Sequence, residues 1–270
     1  MNSLEGTMAR LRRERDPAPP DDLAARHPVS NDDRPAKSQR AAKSPSCLPL
    51  DVAALRRAGY LTPATMHTEL AENYRHLKRP LLLQGRGRQN ASSRYHNLIG
   101  ITSALSGEGK TFTAFNLAMS LAMERDHTVL LLDGDPLKRS LTRLVGLDEA
   151  LGLMDLLVAP ALTVGEVMIT TELPTLRLIP AGHRHHPSTE LLASASMQAM
   201  AADLSSRYRD RIVLFDLPPL LVTNQASVLA RLMGQILLVV DPGKSSPTAI
   251  QDALARLEPE QPMALVLNRQ

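Results

Sequence analysis

Short apolar runs separated by longer amphipathic segments dominate the chain from residue 98 onward. Six of these runs are four or five residues long, which is the length of a buried strand. They cover residues 98–102, 129–132, 176–179, 212–215, 236–240 and 264–267. Segments long enough for crossover helices lie between them at 111–124, 189–206, 224–232 and 247–257. The pattern predicts an α/β fold with a doubly wound, mostly parallel sheet.

The N-terminal part of the chain lacks this alternation. Residues 16–49 are rich in Pro, Asp, Arg and Ser and carry few large apolar side chains, so they bury too little surface to offset the entropy lost on ordering. We expect residues 1–49 to be a disordered linker and residues 50–270 to form the folded domain. Leu4, Met8 and Leu11 have helical spacing beside several arginines, which fits either a short amphipathic docking helix or a frayed tail.

Residues 66–83 have the spacing of an amphipathic helix. Leu70, Tyr74 and Leu77 share one face, and charged side chains occupy the rest of the surface. Because proline and glycine interrupt helices, we expect this helix to end near Pro80 and the glycines at 85 and 87.

Composition narrows the classes of partner. The chain has 270 residues, 43% of them hydrophobic, which is enough for one sizeable core. Its net charge is only +3 and the basic residues are scattered, so nucleic acid is not an expected partner.

The single cysteine, Cys47, cannot form an intramolecular disulfide. No apolar run reaches the roughly 18 residues of a membrane span, and no secretory signal is recognisable, so we expect a cytoplasmic protein.

A glycine-containing segment follows the first predicted strand and precedes a predicted helix. It reads Ser-Ala-Leu-Ser-Gly-Glu-Gly-Lys-Thr over residues 103–111. Glycines let backbone N–H groups surround phosphate oxygens, Lys110 can reach the β- and γ-phosphates, and the Thr111 hydroxyl can ligate Mg²⁺. Ala104 replaces the first glycine of the usual pattern, but the strand, loop and helix supply the required context. We expect a P-loop NTPase domain that binds ATP and Mg²⁺ through Ser106, Gly107, Glu108, Gly109, Lys110, Thr111 and Phe112.

Carboxylates follow two of the predicted strands at the point where each strand ends. Asp133 and Asp135 follow residues 129–132, and Asp216 follows residues 212–215. Ligands of open parallel sheets lie beyond the carboxyl ends of the strands, so these carboxylates should face the Lys110 loop. A lone aspartate at such a place is commonly a helix cap. Two such strand ends beside a phosphate loop favour a Mg²⁺ site instead.

These motifs resemble those of the bacterial tyrosine autokinases, in the branch linked to exopolysaccharide and PEP-CTERM/exosortase loci. The resemblance extends from Asp51 to Asn268. It rests on the segments 54–59 (ALRRAG), 74–81 (YRHLKRPL), 102–111, 133–135 (DGD), 180–182 (PAG), 190–194 (ELLAS), 215–221 and 267–268 (LN).

The resemblance implies roles for individual residues. Asp133 and Asp135 would form the second phosphate-site motif and Asp216 the third, and these three carboxylates would be catalytic together with Lys110. Thr111, Asp133 and Asp216 would hold Mg²⁺. Asp133 would accept the proton of the tyrosine phenol. Asn268 stands where related ATPases place an adenine contact, and its amide offers both a donor and an acceptor.

The resemblance also implies partners. Glu72, Arg75 and Lys78 match a Glu-x-x-Arg-x-x-Arg subunit contact, although the lysine cannot reproduce the arginine fork. These residues form either a homo-oligomer interface or a solvated helix face with i,i+3 pairs. The implied partner is a membrane-embedded chain-length determinant, which would recruit the protein peripherally to the inner membrane.

Three functions fit the residues. The first is a protein-tyrosine autokinase that regulates exopolysaccharide biosynthesis and export. The second is a non-kinase ATP switch of the partitioning type, but such proteins carry an early second lysine where residues 104–106 read Ala-Leu-Ser. The third is a regulatory paralogue that binds ATP without transferring phosphate.

The tyrosines bear on this choice, because no tyrosine-rich segment follows Asn268. Tyr60 and Tyr95 are expected to be accessible, whereas Tyr74 and Tyr208 are expected to be less so. The loop histidines His183, His185 and His186 are expected to be solvated rather than bound to a metal.

Overall fold

The computed structural model describes residues 47–87, 95–124, 127–207 and 211–268, with side chains left out for residues 83–87. All of them belong to one compact unit that spans Ala41–Gln270. The predicted helix containing Leu4, Met8 and Leu11, nearly all of the predicted linker and Tyr208 lie outside the described residues. The boundary at residue 50 stays a prediction.

Helices and strands alternate along the described residues. The helices are α1 (Val52–Arg57), α2 (Glu69–Gly87), α3 (Lys110–Ala122), α4 (Ser140–Leu144), α5 (Leu153–Val158), α6 (Val164–Val167), α7 (Ser188–Leu192), α8 (Ala195–Arg207), α9 (Asn224–Ala230) and α10 (Pro247–Leu254), with a 3₁₀ turn at Pro63–Thr65. The strands are β1 (Leu98–Ser103), β2 (Thr128–Asp133), β3 (Ile169–Thr170), β4 (Leu176–Ile179), β5 (Arg211–Asp216), β6 (Gln235–Val240) and β7 (Met263–Leu267). None of the helices in this part of the chain is long and apolar enough to cross a membrane.

The seven strands form one sheet in the order β3-β4-β2-β5-β1-β6-β7. Every neighbouring pair is parallel except β3 and β4, which are antiparallel. This confirms the predicted α/β fold with a mostly parallel sheet, and all six predicted strands are present. The seventh, β3, has only two residues, too few to produce a periodic signal in the sequence.

Side chains from successive strand positions enter two different hydrophobic cores. In β2, Val129 and Leu131 pack into one core, and Leu130 and Leu132 pack into the other. Residues of α2 and α3 complete the first core, and residues of α8, α9 and α10 complete the second. Since helices cover both faces, the central strands β1, β5 and β6 bury every residue. That burial explains their continuous apolar runs.

Helix α2 passes through Pro80. The sequence predicts an end near Pro80 and the glycines at 85 and 87; the helix continues past the proline and ends at Gly87, the second of those glycines. Pro80 removes one backbone donor and so weakens the helix locally. The buried side chains of Tyr74 and Leu81, on either side of Pro80, anchor the helix to the core. Tertiary packing therefore outweighs the local cost of the proline.

Lys78 differs from the expectation that it belongs to an exposed charged face. Its side chain turns toward α3, where Nζ donates to the Ser120 carbonyl oxygen at 2.7 Å and lies 2.7 Å from Glu124 Oε1. Only 5% of the residue is exposed. The aliphatic stem of lysine is long enough to be buried while the ammonium group reaches carbonyl and carboxylate acceptors at the end of α3. Lys78 is thus an internal link between two helices.

Glu72 and Arg75 remain at the surface. The Arg75 guanidinium donates to the Glu72 carboxylate, and its Nη1 donates to the Met66 carbonyl oxygen at 2.8 Å. The guanidinium bonds lower the pKa of Glu72 below its ordinary value. The i,i+3 pair predicted for a solvated helix face is present.

Replacing Lys78 tests its internal role. We expect Lys78→Met to lower the free energy of unfolding by about 1–3 kcal/mol, because it leaves Ser120 O and Glu124 without their cation. The matched change at the exposed neighbour Arg79, Arg79→Met, should stay within about 0.5 kcal/mol of wild type. Urea denaturation monitored by circular dichroism measures both. Equal losses of unfolding free energy in the two variants would contradict the internal role of Lys78.

Candidate active site

The loop between β1 and α3 has the backbone of a phosphate cradle. Gly107 and Gly109 have φ angles of 83° and 96°, in the left-handed region that glycine adopts without strain. A Cβ atom on Gly109 would also lie 2.0 Å from Asn268 Nδ2. The second glycine is therefore required both by its backbone conformation and by the approach of a neighbouring side chain.

Glu108, between these two glycines, is fully buried. Its Oε2 accepts from the Leu105 backbone N–H at 2.6 Å, and its Oε1 accepts from the Ser245 hydroxyl. Its carbonyl oxygen accepts from Asn268 Nδ2 at 2.9 Å. Side chains that follow β6 and β7 thus fix the loop from outside.

Lys244 approaches the same loop. Its Nζ donates to the Gly107 carbonyl oxygen at 3.3 Å. Sequence reasoning missed both Lys244 and Ser245, because they lie 137 residues from their partners and belong to no recognisable motif.

Lys110, the first residue of α3, lies between two carboxylates. Its Nζ is 3.2 Å from Asp135 Oδ2 and 3.5 Å from Asp216 Oδ1. Burial alone would lower the pKa of Lys110, but the charges of Asp216 and Asp135 outweigh it and raise that pKa. Among the described residues, these three atoms have no hydrogen-bond partner of good geometry. A ligand can therefore satisfy them.

Asp216 and Asp133 stand side by side at the ends of β5 and β2. Asp216 Oδ2 accepts from the Thr111 hydroxyl at 2.7 Å. Burial, with the neighbouring Asp216 charge, raises the pKa of Asp133 to about 7. Burial likewise raises the pKa of Asp216. Two adjacent buried carboxylates are costly to ionise together unless cations lie beside them.

Thr142 in α4 holds Asp133 in place. Asp133 Oδ2 accepts from the Thr142 backbone N–H at 2.9 Å and from the Thr142 hydroxyl at 2.7 Å. The same hydroxyl oxygen accepts from the Ala181 N–H at 2.9 Å, which connects Asp133 to the loop after β4. Asp133 Oδ1 accepts from the Asp135 N–H at 3.1 Å. A threonine nine residues beyond the aspartate carries no sequence signal, so Thr142 was not predicted.

The predicted catalytic carboxylates therefore gather at one edge of the sheet, but each has a different partner. Asp133 bonds to Thr142, Asp135 lies beside Lys110, and Asp216 bonds to Thr111. No group of three or more His, Cys, Asp or Glu side chains within the described ranges is arranged to hold a metal ion. The assignment of Thr111, Asp133 and Asp216 as Mg²⁺ ligands stays a prediction.

Two other predicted site residues lie at the ends of the loop. Ser106 is half-buried beside Gly107. Phe112 follows Thr111 in α3, and its ring centroid is 5.0 Å from that of Tyr60. Tyr60 also makes an edge contact with Phe115, at 5.3 Å between centroids. Burial and the Asp216 charge raise the pKa of the Tyr60 phenol.

The loop histidines surround a carboxylate outside this site. Asp155 Oδ1 is 3.0 Å from His183 Nδ1 and 3.1 Å from His185 Nε2. Burial alone would raise the pKa of Asp155, but hydrogen bonds from His185, Gly152 and His183 outweigh it and lower that pKa. The two histidines are thus paired with an aspartate rather than fully solvated, and His186 is exposed.

Comparisons with known proteins agree on one family. The family described as AAA domain matches residues 96–258. Tyrosine-protein kinase YwqD of Bacillus subtilis is 32% identical over 145 residues, covering 54% of this chain and 60% of that protein. Succinoglycan biosynthesis transport protein ExoP of Rhizobium meliloti is 33% identical over 160 residues, covering 58% of this chain and 20% of that protein.

A solved structure is also similar to this chain. The BceF tyrosine kinase domain is 26% identical, with a TM-score of 0.63 over 82% of this chain and 93% of that domain. The chain spans only about a fifth of the length of several curated relatives that it matches. The resemblance to bacterial tyrosine kinases predicted from the sequence is confirmed.

The raised pKa of Asp133 predicts a pH-dependent effect of its neutralisation. Because its folded pKa lies above the unfolded value, ionising Asp133 opposes folding as pH rises from about 4 through 7. Across this range, we expect the unfolding free energy of wild type to fall by roughly 2–4 kcal/mol relative to that of Asp133→Asn. Urea denaturation at several pH values, in EDTA and without nucleotide, measures it. The exposed Asp252→Asn is the control; a parallel shift there would contradict the assignment.

Proposed function

The chain belongs to the AAA domain family, and on that premise we propose that it is an ATP-dependent protein-tyrosine autokinase that regulates exopolysaccharide biosynthesis and export. The observation that carries the proposal is the position of Lys110, at the start of a phosphate cradle and within 3.5 Å of two carboxylates. The names of YwqD and ExoP support the reaction and the process. Activity, substrate and partner are all part of the proposal.

ATP and Mg²⁺ fit the residues present. Lys110 Nζ and Asp216 Oδ1 are buried polar atoms without hydrogen bonds within the described chain, and they suit a phosphate and a cation respectively. Mg²⁺ takes one or two carboxylates and keeps several waters, so it needs no cage of three acidic side chains. Thr111 and Asp216 would hold it, with Asp133 beside them. When bound, Mg²⁺ neutralises negative charge on the phosphate oxygens.

Asp133 is the proposed acceptor for the phenol proton. Burial and Asp216 raise its pKa to about 7, close to the value that serves a base at neutral pH. The tyrosine oxygen forms a bond to the γ-phosphorus, the bond to the β-phosphate oxygen breaks, and ADP leaves. The phenol proton passes to Asp133, whose carboxylate Thr142 orients. Lys110 stabilises charge on the transferred group, and Asp135 holds Lys110. We keep Asn268 as the proposed adenine contact.

The positions of the tyrosines favour the ATPase part of this activity over self-phosphorylation. Tyr74 is 7% exposed and packs in the core, as predicted. Tyr95 precedes β1 and is therefore at the amino edge of the sheet, opposite the site. Tyr60 is half-buried against Phe112 and Phe115. These positions favour ATP hydrolysis with weak self-phosphorylation, and they leave open the alternative of a regulatory paralogue that binds ATP without transferring phosphate.

The proposed assembly uses a smaller contact than the sequence indicates. Glu72 is exposed and Arg75 is half-buried at the surface, where a second copy can contact them, whereas Lys78 is buried against α3. We propose a homo-oligomer through Glu72 and Arg75. We also propose a membrane-embedded chain-length determinant as partner, which recruits the protein peripherally to the inner membrane from the cytoplasm.

One assay tests the reaction. The purified full chain is incubated with Mg-ATP, and ADP release, phosphotyrosine and intact mass are measured together. We expect ADP release, on the order of one phosphate per chain at most, and faster transfer to an added tyrosine peptide. The reason is that the described tyrosines are buried, half-buried or at the opposite edge of the sheet, whereas transfer needs an acceptor placed beside Asp133. Lys110→Met should lose ATP binding and turnover while its circular dichroism stays native.

Each deviation has a distinct meaning. Several phosphates per chain would contradict the placement of the tyrosines. ATP binding without ADP release or peptide phosphorylation would support a catalytically silent paralogue over the kinase.

The Thr142 hydroxyl gives a second prediction. Thr142→Val removes one hydrogen bond to Asp133 and leaves the Ala181 N–H without its acceptor, so kcat for peptide phosphorylation should fall about tenfold or more with little change in KM for ATP. Thr142→Ser keeps the hydroxyl and should retain most of kcat. If valine and serine variants fall equally, the hydroxyl does not position Asp133.

A further inference from the structure

A preformed rim of exposed side chains lies beside the candidate active site. It consists of Leu137, Lys138 and Arg184, and we refer to these three residues as the acceptor rim. Leu137 is 50% exposed although it is apolar, and Lys138 and Arg184 are exposed cations. Leu137 and Lys138 follow Asp135 by two and three residues, at the carboxyl edge of the sheet.

Hydrogen bonds fix the backbone of this rim. The Lys138 N–H donates to Asp135 Oδ1 at 3.0 Å, so the segment turns immediately after Asp135. Arg184 reaches across from the loop after β4, and its Nη2 donates to the Leu137 carbonyl oxygen at 3.2 Å. Residues that are distant in sequence therefore form one surface.

The loop that carries Arg184 is itself anchored. At its base, the N–H groups of Leu153 and Met154 donate to the carbonyl oxygens of Pro180 and Ala181, each at 2.9 Å. Near its tip, Asp155 accepts from His183 and His185. Since the base and the tip of the loop are held and the Arg184 side chain bonds to the Leu137 carbonyl oxygen, less freedom is lost when a ligand binds, which lowers the entropic cost of binding.

The charge of the surrounding segment is positive. Residues 136–149 contain three basic side chains, Lys138, Arg139 and Arg143, and two acidic ones, Asp148 and Glu149. Arg184 adds a further positive charge, and the nearby Asp155 is already paired with two histidines. An anionic partner complements this surface, because opposite charges across an interface steer association and select the partner.

We propose that the acceptor rim docks an acidic segment of a separate polypeptide that carries the acceptor tyrosine. This rests on the proposed kinase activity and names its substrate class. Carboxylates on either side of the tyrosine bind Lys138 and Arg184, an apolar neighbour packs on Leu137, and the phenol extends toward Asp133. We assign the acceptor to another chain because, among the described tyrosines, Tyr74 is buried, Tyr60 is held half-buried against two phenylalanines, and Tyr95 lies at the opposite edge of the sheet.

Matched peptides test the proposal. Three peptides of equal length, each with one central tyrosine flanked by Glu, Gln or Lys, are phosphorylated by the full chain with Mg-ATP. We expect kcat/KM to be at least about tenfold higher for the Glu peptide than for the Lys peptide, and this ratio to fall as salt screens the charges. Equal values for the three peptides at low salt would overturn the rim while leaving the kinase activity intact.

Charge reversal locates the effect. The double variant Lys138→Glu/Arg184→Glu should abolish or invert the ratio of the Glu and Lys peptides, and Lys138→Ala/Arg184→Ala should reduce it toward one. Because each ratio is internal to one variant, a loss of total activity does not disturb it. The control is Arg256→Glu, an exposed cation just after α10, which should keep the wild-type ratio. An unchanged ratio in both double variants would contradict the proposal.

A direct binding measurement tests the proposed role of the acceptor rim independently of the proposed kinase activity. Fluorescence anisotropy of labelled peptides measures affinity even if no phosphate is transferred. Tighter binding of the Glu peptide to wild type than to the double variants supports the rim, and equal binding overturns it. Sedimentation with phosphatidylserine vesicles is the remaining arm. If the double variants lose vesicle binding but show no altered peptide preference, the rim recognises an anionic membrane and the peptide proposal is wrong.

Discussion

Lys110 lies between two buried carboxylates, and most of the site is arranged so that these charges can exist inside the protein. Its Nζ is 3.2 Å from Asp135 Oδ2 and 3.5 Å from Asp216 Oδ1. A buried ion that lost its partner would be strongly unfavourable, because low-dielectric surroundings cannot replace hydration. The lysine and the carboxylates are therefore interdependent. Asp133 is the third carboxylate of the cluster. When all three are ionised, their negative charge exceeds the positive charge of Lys110, which suits a site that receives a cation together with its ligand.

The geometry of this cluster follows from the parallel sheet. Strands β1, β5 and β2 are neighbours and run in the same direction, so their carboxyl ends meet at one edge. The phosphate loop leaves from β1, and the aspartates leave from β5 and β2. Hydrogen bonds from more distant residues then fix the details, with Ser245 on Glu108 and Thr142 on Asp133. A rigid edge built this way holds functional groups without needing a ligand to order them.

Two different parts of this edge would serve the reaction and the binding of a partner. The cradle and the carboxylates lie at the phosphate loop and the ends of β2 and β5, whereas the acceptor rim is formed by the loops that follow β2 and β4. Loops on a fixed scaffold can change partners without disturbing the scaffold. In the described part of the chain Tyr74 lies in the core, Tyr95 lies at the opposite edge of the sheet and Tyr60 is half-buried against Phe112, so the proposed acceptor comes to the rim from another chain.

Local sequence patterns determined the six main strands, the phosphate loop and the aspartates that end two strands. These signals are local, because strand burial follows the apolar run and the loop chemistry is contained in consecutive residues. Tertiary structure alone decided the rest. Helix α2 passes Pro80 because packing of Tyr74 and Leu81 offsets the lost hydrogen bond. Lys78 is buried because α3 presents acceptors to it, and Thr142 reaches Asp133 because α4 folds back over the sheet edge. Each of these contacts joins residues that no periodic pattern connects, so only the folded chain brings them together.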